Sequence, residues 1–310
     1  MAQFYYGGQA VVEGVMMRGR NEVAVAVRKA DGDIALHSEP LPASLYRNQI
    51  ARLPFVRGLV VLWEMLILGT RMLMWSANMQ VQEQTEQEIP GYLVGAMILI
   101  SLAFAVGLFF VFPLFVIRAA SSIPGLSHNQ ILRNVVEGVF RLALLIVYLL
   151  LLGRLNNLKR VFQYHGAEHK AINAYEAGAE LTPESVQRFS LRHIRCGTAF
   201  LLWVMLISIV VFTVLGNGPI WWRFTSRVVL IPVIAACSYE MLRLGARFYQ
   251  VALVRWIMTP GLWLQGLTTR PPDDSQVEVA IRSLQRVLAS DGVAVTLPQP
   301  AVAVAEASPS

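Results

Sequence analysis

His165, Glu168 and His169 stand within five positions, in "YHGAEHK", in a chain of 310 residues that is otherwise mostly apolar. Side chains four apart on a helix share a face, so both imidazoles can grip one ion. The spacing H-x-x-E-H is the reverse of the H-E-x-x-H zinc pattern. In such sites the histidines hold zinc and the glutamate takes a proton from water, which the metal makes acidic near pH 7. The same residues would also suit the polar face of a helix beside a membrane, and the motif alone leaves both readings open.

A catalytic metal needs a third protein ligand. "RHIRCGTAF" puts His193 and Cys196 three apart, just before an apolar run that begins at Thr198. A cysteine entering such a run is also at home as a small buried hydrophobe. Glu240 lies in the second half of another apolar run, where an ionisable group is a functional candidate by default. Its alternative is an ion pair with Arg243. Glu13, in the N-terminal segment, is a more distant possibility. The candidate set is therefore Glu168 as general base, with His165, His169, His193, Cys196 and Glu240 as ligands and zinc as the cofactor.

The elements that must position these residues are largely membrane helices. The chain is 55% hydrophobic and 15% charged, with a mean hydropathy of +0.51. Soluble domains lie nearer 45–50% apolar and about 25% charged. The net charge of +6 fits cytoplasmic flanks and anionic lipid, and no motif points to nucleic acid. Two cysteines without close spacing argue against a disulfide framework. The first residues lack the pattern of a cleaved signal peptide.

Four apolar segments predict spans: 92–117, 139–153, 198–216 and 228–246. The linkers 118–137 and 217–227 each carry two basic residues, whereas 154–197 carries seven. The positive-inside rule then puts both termini and the 154–197 segment in the cytoplasm of a bacterial inner membrane. Residues 1–56 predict a small β-rich module with an Asp31-Gly32 hairpin turn. Residues 57–91 predict an interfacial or re-entrant helix followed by an acidic linker, because Glu64 and Arg71 share one helix face. Residues 92–246 form the four-span domain. Residues 247–296 predict interfacial and cytoplasmic helices, with a Pro-Gly break splitting the first of them into a pair. The tail 297–310 is expected to be disordered. The fold class is thus an α-helical integral membrane protein of about four spans, with interfacial helices and an N-terminal β-rich module.

The blocks "GGQAVVEGVMMRG", "YHGAEHKAINAYE", "RHIRCGTAFLL", "CSYEMLR" and "PGLWLQGLTTRPPDDSQVEVAI" resemble the YqhQ-like family of bacterial membrane proteins, in order, from about Gly7 to Leu288. That family is labelled a predicted metal-dependent enzyme of unknown substrate. The resemblance implies that His165, Glu168, His169, His193, Cys196 and Glu240 match its motif positions. Ile194 stands where the family usually has proline.

Three functions follow. The favoured one is a zinc-dependent hydrolase acting at the cytoplasmic face on membrane-associated peptide or lipid. The second is a non-catalytic factor assisting insertion, folding or assembly of membrane proteins, with Glu64, Arg71, Glu240 and Arg243 lining a polar groove and any metal structural. A transporter ranks third, since no internal repeat is visible.

Overall fold

The computed structural model describes residues 5–41, 49–85, 90–120, 129–215 and 219–293. The expected tail at 297–310 lies outside them. The chain opens on a four-stranded antiparallel meander: β1 Gly7–Val11, β2 Gly14–Arg18, β3 Glu22–Arg28 and β4 Ile34–Pro40, in that spatial order. The Asp31-Gly32 turn is present, with Gly32 at φ 93° supplying the left-handed residue it needs. Val12-Glu13 makes the tighter β1–β2 turn, and Glu13 takes φ 50°.

β3, "EVAVAVR", is apolar at every central position because both of its faces are covered. Ala24 and Ala26 face one core, with Tyr164, Ala171, Val277 and Leu284. Val23, Val25 and Val27 face the other, with Leu68 and Met72. The sheet is therefore the middle of three layers. One outer layer is helix α1 (Val56–Thr85); the other is α5 (Asn156–Glu176) with α10 (Asp274–Ser290). A capping box at Asp273 and Gln276 starts α10.

Between and after these lie α2 (Gly91–Val106), a π-helical turn Gly107–Val111, α3 (Phe112–Ala120), α4 (Gln130–Leu152), the short α6 (Pro183–Gln187), α7 (Gly197–Leu215), α8 (Ile220–Arg247) and α9 (Ala252–Gln265). Among the described residues five helices are long and apolar enough to cross a membrane: Val56–Val81, Gly91–Phe109, Gln130–Leu152, Gly197–Leu215 and Thr225–Arg247. This is a membrane protein. The expected count of four is corrected to five candidates. The addition is α1, which the sequence reading had set aside on the strength of Glu64 and Arg71. Glu64 is in fact buried against Arg18 at 3.0 Å.

A second correction concerns the Pro-Gly break. α9 runs straight through Pro260. Gly261 is there for packing: a Cβ on it would stand 3.1 Å from the Ala199 methyl of α7.

Candidate metal centre

α5 carries the site, and its small residues explain how the surrounding chain gets close. Tyr164, Ala167, Ala171 and Ala174 turn toward the sheet core. Gly166 lets the segment after α9 lie on the helix, since a Cβ there would be 2.2 Å from the Arg270 carbonyl oxygen. The Arg270 amide then bonds the Phe162 carbonyl at 2.9 Å. That approach delivers the Thr268 carbonyl to His165 Nδ1 at 2.9 Å.

On the other side α5 holds the 187–192 segment by its carbonyls. Lys170 Nζ donates to Gln187 and Phe189 (2.6 and 2.8 Å). Asn173 Nδ2 donates to Ser190 and Arg192 (2.9 and 3.0 Å). His169 Nδ1 sits 2.5 Å from the Leu191 carbonyl. Burial pulls the Lys170 amine below the usual lysine range.

A carbonyl only accepts, so both Nδ1 atoms carry a proton, which in the neutral imidazole leaves each Nε2 its lone pair. Cys196 closes the group, with Sγ 3.3 Å from His165 Nε2. The donor atoms of His165, His169 and Cys196 all lie within 4.8 Å of one another. Two ligands bound at roughly 2.0–2.3 Å on one zinc stand about 3.5 Å apart, so this donor set suits that ion. Cys196 immediately precedes α7, and the Thr198 amide points at its sulfur at 3.4 Å.

Glu168 is buried beside this group. Its Oε2 lies 3.5 Å from His169 Nε2, and its Oε1 accepts the Gly8 amide at 3.0 Å. Gly8 must be glycine for that approach, because a Cβ would be 2.2 Å from the Met16 carbonyl and 3.2 Å from Glu168 Cγ.

Of the five candidate ligands, the structure thus brings three together. His193 is adjacent, its ring centroid 5.6 Å from that of His169, but its Nε2 faces Glu176 at 3.7 Å. Gln265 clamps the His193 backbone from both sides, at 3.0 and 2.7 Å. Burial alone would raise the Glu176 carboxyl. The nearby His193 ring and the Arg195 guanidinium outweigh it, and the group titrates below the usual range.

Glu240 is placed elsewhere. It accepts from the Phe55 amide at 3.1 Å and from Arg57 Nε at 2.7 Å, and pairs with Arg57 Nη2 as well. The sequence reading offered Arg243 as its partner and missed Arg57, 183 residues away. Glu13 pairs with Arg160 at 2.6 Å, apart from the His165–His169–Cys196 group. The polar groove imagined for Glu64, Arg71, Glu240 and Arg243 is divided: Glu64 pairs with Arg18, Arg71 with Glu39, and Glu240 with Arg57. The Thr268 and Leu191 carbonyls and the Gly8 amide left no trace in the sequence except the glycines of "GGQ" and "HGAEH".

Residues 53–290 match the family model described as "Protein of unknown function (DUF1385)". The chain belongs to that family. It is also 38% identical over 295 residues to the "Uncharacterized protein YqhQ" of Bacillus subtilis (strain 168), covering 91% of this chain and 92% of that one. The resemblance drawn from the sequence blocks is thereby confirmed. No solved structure matches. The DUF1385 match takes in all of α5 and the whole Cys196 region, so His165, Glu168, His169 and Cys196 lie inside it.

Proposed function

We propose that this DUF1385 protein is a metal-dependent hydrolase of the membrane surface, holding zinc on His165, His169 and Cys196 and acting on membrane-associated peptide or lipid. The observation that carries the proposal is the fixed tautomer of both histidines. Each Nδ1 is tied to a backbone carbonyl, the outer-shell arrangement that orients metal-ligating imidazoles. Three protein ligands, rather than four, is also the pattern of catalytic zinc. His193, which would complete a closed set, is turned to Glu176.

Zinc bound there would act as a Lewis acid that makes water reactive at neutral pH. The chain's own contributions are positional and protonic. His165 and His169 present their Nε2 lone pairs without reorganisation. Gly8 fixes Glu168 through Oε1, leaving Oε2 on the histidine side to accept a proton and pass it to a leaving group. Seven basic residues between 154 and 197 favour a cytoplasmic site in an inner membrane.

The experiment is the metal content of the detergent-purified protein by plasma mass spectrometry, beside the His165→Ala, His169→Ala double variant. About one zinc per chain, lost in the variant, is the expected result. A well-folded preparation without stoichiometric metal would sink the hydrolase. The family would then be better pursued as a membrane-protein assembly factor.

A further inference from the structure

Three of the five long apolar helices, Val56–Val81, Gly91–Phe109 and Gln130–Leu152, lie in the chain between the sheet and α5. The sheet and α5 nevertheless share one core, in which Val15, Met17 and Ala24 meet Tyr164, Ala167 and Ala171. A sheet with open edges has no place in hydrocarbon, where its edge amides and carbonyls would go unsatisfied. Sheet and α5 therefore stand on the same side of any membrane this chain crosses. The chain must cross an even number of times between them, so three crossings are impossible. The same count between α5 and α10, which share that core too, is already even, with α7 and α8 as the pair.

Which of the three stays on one side follows from what covers each. α2 has no buried residue and no charge, so only lipid can cover it. α4 carries Arg133 in its first turn and buries Glu137 and Arg141 against each other at 2.5 Å. α1 is different: it lies along the sheet for most of its length. Glu64 bonds Arg18, Leu68 and Met72 join the sheet's second core, Ser76 Oγ accepts the Val12 amide at 3.2 Å, and Gln80 reaches the Arg28 carbonyl at 3.0 Å. A crossing α1 would drag the sheet into the acyl chains. Its opposite face carries Trp63 (66% exposed), Leu66 (62%), Ile67 and Leu73 at helical spacing, with the exposed Arg71 at its edge paired to Glu39 of the sheet.

We propose that α1 does not cross the bilayer but lies in its surface, with the sheet on one face and lipid on the other. The lipid bilayer is thus the partner of the Trp63–Leu66–Ile67–Leu73 stripe. The start of the helix is pinned to α8 seven residues before the end of that span: Arg57 pairs with Glu240, and Gly58 allows contact with the Tyr239 ring. α1 then acts as the floor that seats the sheet, and with it α5 and the His165–His169–Cys196 group, against the headgroups. This placement holds whether or not the group binds metal.

The test uses the full-length protein with Cys237→Ser and the buried Cys196 kept, reconstituted in liposomes, with one added cysteine at Leu59, Leu66 or Leu73 carrying a spin label. The parent without an added cysteine is the blank. Depth is read from relaxation by oxygen against a water-soluble nickel complex. In-plane α1 predicts three equal depths, within about 5 Å, near the headgroup–acyl boundary. A crossing helix predicts steps of about 10 Å from each position to the next, because seven residues rise that far. That outcome, or three labels in bulk water, overturns the proposal. Independently, cysteines at Asp31 and Pro90, on either side of α1, should react with an impermeant maleimide from the same side of sealed vesicles. Labelling from opposite sides overturns it as well.

Discussion

Two groups of buried polar side chains lie in this protein, and they are built on opposite principles. In the membrane helices Glu137 of α4 uses one oxygen for two guanidiniums, Arg141 at 2.5 Å and Arg227 of α8 at 2.8 Å. The cavity beside them is only about 10 Å³, room for at most a water. Those charges stabilise one another, and the cluster fastens two helices. Around α5 the polar atoms instead face a common point as acceptors: two Nε2 atoms and a sulfur, each backed by a backbone group on its far side. Burial and polarity are common to both groups. What separates them is whether lone pairs are used up or held ready.

The comparison can be broken most directly at the histidines. His165→Ala with His169→Ala should take zinc from about one per chain to below about 0.1, with helix content by circular dichroism unchanged. A variant that keeps its metal would erase the distinction. Glu137→Ala should do the reverse. It removes the carboxylate between two buried guanidiniums, and should lower stability in detergent by about 3–5 kcal/mol, seen in thermal unfolding, while metal content stays put.

A smaller effect sharpens the contrast. Gly8→Ala forces β1 against the Met16 carbonyl and away from Glu168; it should weaken zinc affinity or activity about 10-fold, measured by competition with a chelating dye. Smallest of all should be His193→Ala. If the ring serves Glu176 rather than the metal, zinc stoichiometry is retained and affinity shifts less than about threefold, well short of the loss of a ligand. A large loss would move His193 into the ligand set.

Much of this was legible in the chain. The β hairpin at Asp31-Gly32 follows from local turn chemistry, and α10 follows from its Asp273 cap and apolar spacing. The His165–His169 pair follows from the helical repeat. Cys196 could be nominated but not chosen over Glu240, because both are lone candidates at the edge of apolar runs. The choice depends on Arg57, whose pairing with Glu240 no spacing rule reaches. Glu64 misled in the other direction. It signalled a wet face, but Arg18 arrives from the sheet and buries it.

The sequence by itself determined the class of protein, the long apolar helices and the two imidazoles on one helix face. These are matters of composition and of the 3.6-residue repeat, which act within one segment. Tertiary structure alone decided which third donor lies beside them and what the far side of each imidazole meets. The imidazoles meet backbone groups brought from distant parts of the chain, the Thr268 and Leu191 carbonyls, and Cys196 is singled out because Arg57 takes Glu240. Every residue type carries the same amide and carbonyl, so their positions leave no mark in the sequence until the chain has folded.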